Sequence, residues 1–257
     1  MRIPLLILAL FASVCVASVS LAAPACSGHS PAHTVALLEL YTSEGCSSCP
    51  PADQFVSSLR GAGLTADQVL PLSLHVDYWN DIGWKDPFSS STFTERQRAL
   101  SALARSRTVY TPELFVDGHE VRNWPGGVKD AVRQANALPA RARISIDQHG
   151  AADGLHVEVS GQGPAGALLQ VALVQNGLVS QVKRGENAGR TLRHDFVARR
   201  WFDASRLDGS GGGRQQFNLR ADEIKERASL SLTAFVQSPQ GEILQAYALP
   251  LCVPGQP

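Results

Sequence analysis

From residue 35 to residue 138 the apolar positions switch repeatedly between a strand period and a helix period. Val35 to Thr42 is almost unbroken in apolar character, Glu39 being its one charge, and reads as a strand buried on both faces. Gln54 to Leu64 has helical spacing, with Phe55, Val56 and Leu59 on a shared face, and stops near Gly61 and Gly63. Val69 to Val76 sets Leu70, Leu72, Leu74 and Val76 against Pro71, Ser73 and His75, which predicts a second strand. Thr92 to Arg105 is a second helix, marked by Phe93, Arg96, Leu100 and Leu103 and capped by Thr92 or Thr94. Val109 to Val121 places apolar runs on either side of Asp117-Gly118, the pattern of an antiparallel hairpin. Val128 to Leu138 is a third helix. After Pro139 and Ala140 the period changes to strict alternation: Ile144 and Ile146, then Leu155, Val157 and Val159, then Leu169, Val171 and Leu173. Phe217 to Leu219, Leu230 to Val236 and Ile243 to Leu249 continue it, with turn signals at Asn176-Gly177 and Gly209 to Gly213.

The first set of elements runs βαβαββα: a parallel pair with crossover helices, a hairpin, and a helix returning to the sheet. That is a thioredoxin topology. The expected fold class is an α/β thioredoxin-like N-terminal domain over 34–139, followed by an all-β sandwich-like C-terminal domain over 141–252. A length of 257 residues suits two such units, and 44% hydrophobic with 18% charged residues supports packed cores. Lys plus Arg and Asp plus Glu are 23 each, with no basic stripe, so no nucleic-acid partner is expected.

The N-terminus changes how the cysteines are read. Met1 to Ala23 has a short charged start at Arg2, an apolar run from Ile3 to Val19, and Ser20 and Ala22 placed as a cleavage pair. This predicts a secretory signal over 1–23 and a periplasmic or secreted protein with no membrane association after cleavage; an uncleaved anchor helix is the competing reading. Cys26 follows Pro24-Ala25 and lacks the small-residue run of a lipidated cysteine. Cys15 leaves with the signal, so Cys26, Cys46, Cys49 and Cys252 remain, an even number in an oxidising compartment. Cys46 and Cys49 are close enough to pair locally. The simplest partner for Cys26 is then Cys252, which ties the two ends of the mature chain together, unless either stays free or pairs with another chain.

Cys46-Ser-Ser-Cys49 between a strand and a helix is a redox arrangement. By position Cys46 attacks a substrate sulfur and Cys49 resolves the mixed disulfide. Pro50 and Pro51 suit the first helical turn, so the helix begins near Ser48 or Cys49 and Cys46 stands off from its dipole. Its thiol is therefore expected to be less acidic than in strongly oxidising relatives. Thr111-Pro112 lies 66 residues after Cys46, where this topology puts a cis-proline opposite the cysteine pair. The segment from His75 through Asp77, Tyr78, Trp79 and Trp84 to Phe88 leaves the same sheet edge, either as a substrate rim or as a loop packed on its own aromatics. Glu39 reads as a solvated residue facing outward, or as a buried proton acceptor for Cys49. His149, His156 and His194 read as solvated, without metal-ligand spacing.

The segments LYTSEGCSSCPPAD, LSLHVDYWNDIGWKDPF, FTERQRA, VYTPELFVDG and RGENAGRTLRHDFV resemble a bacterial exported family, domain of unknown function 1223. The resemblance covers nearly the whole mature chain. It implies a thioredoxin-like first domain, a family-specific β-rich second one, and a site at Cys46, Cys49 and Pro112. It implies no substrate. Gly45 stands where redox thioredoxins carry an aromatic, which departs from their mode of docking. Three functions fit: a thiol–disulfide oxidoreductase acting without a cofactor on protein thiols or disulfides, a Cu(I) chaperone using Cys46, Cys49 and His75 (or His119), and a module with an inert bridge.

Overall fold

The computed structural model describes residues 26–252, so the expected signal over 1–23 lies outside the described residues. Its N-terminal half is built from β2 (Ala36–Thr42), α1 (Pro50–Ser58), β3 (Val69–His75), α2 (Ser91–Leu103), β4 (Glu113–Val116), β5 (His119–Glu120) and α3 (Trp124–Asn136). A short strand, β1 (Ser27–His29), precedes them and is absent from the sequence reading. β2 pairs parallel with β3 and antiparallel with β4. Such a strand is buried from both sides, which is why its apolar run has so little alternation.

The helices depart from their expected bounds for local reasons. α1 starts at Pro50 rather than Gln54, because a proline in the first turn gives up no hydrogen bond and Cys49 takes the N-cap position. α2 is capped by the Ser90 hydroxyl, which accepts from the Thr92 amide, and not by Thr92 or Thr94. α3 starts at Trp124 rather than Val128, its early turn hidden in the sequence by Gly126-Gly127. A Cβ on Gly127 would come within 2.8 Å of a Val121 methyl, so the glycine lets this turn lie against the hairpin exit. Asp117 and Gly118 both have positive φ, 50° and 82°, as a tight two-residue hairpin turn requires.

The C-terminal half is almost entirely strands: β6 (Arg143–Ala151), β7 (Gly154–Gln162), β8 (Leu168–Gln175), β9 (Leu178–Gln181), β10 (Thr191–His194), β11 (Val197–Trp201), β12 (Ser205–Arg206), β13 (Gly212–Arg220), β14 (Leu230–Gln237) and β15 (Ile243–Pro250). One sheet, ordered β1-β6-β7-β13, packs over β8, β14 and β15 through Ile144, Ile146, Val157, Val171, Leu232 and Ala234. That is the expected sandwich.

The two halves share a sheet. Its order is β15-β14-β8-β11-β3-β2-β4-β5, with β11 parallel to β3 through Val197 and Ser73. The strand that would have been the free edge of the first half is thus covered, which removes a hazard of exposed pairing. One face carries α1 and α3 over Leu38, Leu40 and Leu114. On the opposite face Leu37, Leu72 and Phe93 share a core with Phe235 and Ala246 of the second half. Cys26 and Cys252 form a disulfide, 226 residues apart, joining the start of β1 to the end of β15. β9 and β10 form a separate two-stranded hairpin, and β10 lies against α1.

Candidate functional site

The cysteine turn forms where β2 ends. Thr42 is paired with His75 at the last register position of the parallel ladder, and both side chains point to the α1 face. The Cys46 amide donates to Ser43 O at 3.1 Å and the Cys49 amide to Cys46 O at 3.3 Å, closing two successive turns. Cys46 and Cys49 are joined in a disulfide with their Cα atoms 5.5 Å apart. The Thr111–Pro112 peptide bond is cis, and the Cys46 sulfur lies 3.7 Å from Thr111 O and 3.3 Å from Ser48 Oγ. Thr111 and Pro112 therefore stand directly beside the cysteine pair.

Both cysteines are 0% exposed, while Ser47 and Ser48 between them face solvent. Two loops account for the cover. Trp79 donates its indole N–H to Thr111 Oγ1 at 2.8 Å, and a Cβ on Gly45 would sit 3.1 Å from Trp79 Cβ. The aromatic missing before Cys46 is thus replaced in space by one from the loop after β3, and Gly45 leaves room for its close approach. The second loop belongs to the C-terminal half, between β9 and β10. Asn187 there is fully buried and its amide donates to both Glu44 O and Cys46 O at 2.9 Å. Glu186 accepts from the Ser47 amide at 3.0 Å. Gly83 and Gly185, at φ 107° and 76°, let the two loops meet backbone to backbone: a Cβ on Gly83 would lie 3.5 Å from Gly185.

Behind the disulfide lies a buried polar cluster. Asp86 accepts from the Glu44 amide at 2.8 Å, from the Phe88 amide at 2.8 Å, and pairs with His75 Nδ1 at 2.7 Å. Glu44 takes the Trp84 indole N–H at 2.7 Å on one oxygen and His194 Nε2 at 3.1 Å on the other. His194 is buried against His75, ring centroids 4.9 Å apart and edge to face. This corrects the expectation that His194 is solvated: β10 folds back onto α1 and carries the side chain inward. Asp53, one turn into α1, accepts from the Thr42 hydroxyl at 3.2 Å. Burial pushes its carboxyl above the ordinary range, with His75 and His194 acting against the rise. Burial alone would push His75 down, but the adjacent Asp86 carboxylate more than reverses this and His75 titrates above its ordinary value. For Asp86 burial acts upward, and His75 outweighs it to hold the carboxyl low.

Glu39 is a second correction. It is fully buried rather than solvated, and Arg96 forks onto it at 2.6 and 2.8 Å while Tyr41 donates at 2.9 Å. It cannot serve Cys49 either. Odd positions of β2 face α2, whereas α1 and Cys49 lie on the other side of the sheet. Among the expected rim residues, Asp77 accepts from Thr94, Tyr78 donates to Gln97, and Trp84 is tied to Glu44, so their polar ends are occupied internally. His119 is exposed at the hairpin turn and His75 is committed to Asp86. Among the described residues no group of three His, Cys, Asp or Glu side chains is arranged to hold a metal ion. No helix among them is long and apolar enough to cross a membrane.

Asp86 and Asn187 were not singled out by sequence reasoning, and His194 was read there only as solvated. For Asn187 and His194 the available signal was the polar density of RGENAGRTLRH, and for Asp86 the segment LSLHVDYWNDIGWKDPF, both of which the resemblance included without giving these residues a role.

Two solved structures are similar over most of the chain. One is the crystal structure of protein AGR_C_4864 from Agrobacterium tumefaciens, 26% identical, TM-score 0.59, covering 88% of this chain and 97% of that one. The other is HBP35 of Porphyromonas gingivalis, 16% identical, TM-score 0.63, covering 86% of this chain and 76% of that one, a likeness of fold. No curated protein matches. The model of the family described as "Protein of unknown function (DUF1223)" matches residues 37–237, which span the cysteine turn, the aromatic loop and the β9–β10 hairpin; the chain belongs to that family.

Proposed function

We propose that the chain is an exported thiol–disulfide oxidoreductase that exchanges electrons with protein thiols or disulfides, in the periplasm or outside the cell. The observation that carries this is the placement of the Cys46–Cys49 disulfide at the start of α1, with Cys46 beside Thr111 and Pro112. A substrate thiolate attacks the Cys46 sulfur, the bond to Cys49 breaks, and Cys49 departs with its electron pair. A second substrate thiolate then displaces Cys46, leaving a substrate disulfide and a reduced pair. The reverse sequence reduces a substrate disulfide. Pro112 and Thr111 offer the backbone ledge for the incoming segment, and Trp79, Tyr78, Trp84 and Asp77 shape its rim.

Full burial of Cys46 requires the turn to open before attack. Asn187 and Glu186 are among the contacts that hold it shut, so the C-terminal half takes part in access to the sulfur. The same burial favours a second reading, in which the bridge is inert and only braces the turn. Trapping separates them. A Cys49→Ala variant leaves Cys46 without its resolving partner, and in cell extract of the exported fraction it should accumulate mixed disulfides that dithiothreitol releases. A Cys46→Ala control should trap none. Equal, background labelling of both variants would eliminate the oxidoreductase.

A further inference from the structure

Three buried side-chain atoms among the described residues have no hydrogen-bond partner: Asp53 Oδ1, His75 Nε2 and His194 Nδ1. Unpaired buried polar atoms are rare and costly. These three are not scattered. His75 and His194 touch edge to face, and both act electrostatically on Asp53. Asp53 is four residues after Cys49, so it shares that residue's face of α1, and its side chain leans back toward the helix start. A cavity of about 170 Å³ reaches this place from the surface, lined by Asp53 and His194 at its inner side and by exposed Arg190, Thr191 and Arg193. At roughly 30 Å³ per molecule it has room for several waters.

We propose that Asp53 exchanges the Cys49 proton with water in this cavity, and that His194 and His75 are positioning residues that hold the carboxylate charged when the proton has left. The inference rests on the oxidoreductase reading. When a mixed disulfide on Cys46 is resolved, the Cys49 thiol gives its proton to the Asp53 carboxylate and its sulfur attacks Cys46. The Cys46–Cys49 bond forms and the substrate leaves as a thiolate with the electron pair. In the opposite direction the departing Cys49 thiolate takes the proton back. The orphaned oxygen of Asp53 is the natural seat for that proton, because its partner oxygen is already taken by Thr42. A carboxyl raised by burial is better matched to a thiol than an exposed one, since proton transfer is most effective between groups of similar pKa. The groups acting on Asp53 are Thr42 from β2, His75 from β3, Asp86 from the following loop and His194 from the hairpin; Glu44 of the cysteine turn acts on His75, and Arg190 and Arg193 line the cavity. The chemistry thus draws on both halves of the chain, which gives the β-rich half a part in it.

The test follows resolution directly. Reduced protein is mixed with oxidised glutathione, quenched in acid at intervals, and the glutathionylated Cys46 intermediate is counted by mass spectrometry between pH 5 and 9. Asp53→Asn keeps the shape and removes the proton acceptor. Its intermediate should persist about a hundredfold longer at pH 6, the low end of general-base effects. Its decay should then quicken about tenfold per pH unit toward the ordinary thiol range near 8.5, a slope the native protein lacks. Asp53→Glu should restore much of the native profile. A variant profile that superimposes on the native one, or a slowing equal at every pH, overturns the proposal. Should Asp53→Asn fail to fold, His194→Gln is read in its place: losing the histidine should move the profile to higher pH, and an unmoved profile overturns the proposal. If the native protein never forms the mixed disulfide or resolves it, the oxidoreductase reading itself is wrong and the relay falls with it.

Discussion

Replacing Asn187 with alanine isolates the question of access. Its side-chain amide is fully buried and donates to the carbonyls of Glu44 and Cys46 at 2.9 Å each, while its own oxygen takes Arg190 at 2.8 Å. A buried hydrogen bond contributes about 0.5–1.5 kcal/mol net, so the two bonds to the cysteine turn hold it with about 1–3 kcal/mol. If attack on Cys46 requires the turn to leave those bonds, that energy forms part of the opening cost. Each 1.4 kcal/mol is a factor of ten, so Asn187→Ala should raise the rate of bridge reduction by roughly five- to a hundredfold. The assay is second-order reduction by dithiothreitol at neutral pH, with Cys46 and Cys49 distinguished from Cys26 and Cys252 by differential alkylation and mass spectrometry. Urea unfolding of the same variant gives its global stability. Acceleration with most of the global stability intact supports a local gate. An unchanged rate, or one that merely tracks global unfolding, refutes the idea that the β9–β10 loop controls access.

Three further outcomes follow from the same geometry. Arg96→Ala leaves Glu39 charged, fully buried and unpaired, and should cost about 3–5 kcal/mol in urea unfolding, whereas replacing both by leucine should cost less; equal losses would contradict the pairing. Glu113, next to Pro112, is pushed by burial from 4.5 up to about 7. A raised folded-state carboxyl contributes stability that is full below its ordinary value and lost as pH rises through 7, so unfolding free energy should fall between pH 5 and 8 and Glu113→Gln should flatten that fall. Asp117, likewise raised by burial to about 7, adds a slope of the same sign; a stability rising across this window in the native protein would be the wrong sign. Removing the Cys26–Cys252 bridge by paired serines should lower stability by up to about 5 kcal/mol, the chain-entropy value for a loop of 226 residues, and a change under about 1 kcal/mol would mean the ends are held without it.

The parts legible in the sequence were those written in local pattern. β2 declared itself by an unbroken apolar run, the hairpin by Asp117-Gly118, and the cysteine turn by its spacing before two prolines. What stayed hidden depended on partners far along the chain. Glu39 and Arg96 are 57 residues apart, and Glu44 and His194 are 150 apart, so His194 read as solvated and Glu39 had no partner to read until the fold supplied one. β11 joins β3 through a short parallel ladder beside a bulge in its other pairing, which leaves no alternation to read. Pro139 and Ala140 lie between α3 and β6, and the chain beyond them is almost entirely strands. Yet the shared sheet and the shared core carry the second half across to the cysteine turn. The contact of the β-rich half with the cysteine turn was illegible because Asn187 and His194 bond to residues more than 130 positions upstream.

The claim on which all of this depends is that the Cys46–Cys49 bridge is labile while the protein stays folded. It is tested by equilibrating the native protein in dithiothreitol redox buffers and scoring the two cysteines by differential alkylation, with circular dichroism recorded at each point. The account predicts reduction with native circular dichroism at a potential above about −300 mV, the range of labile bridges. A bridge that yields only as the protein unfolds would contradict it.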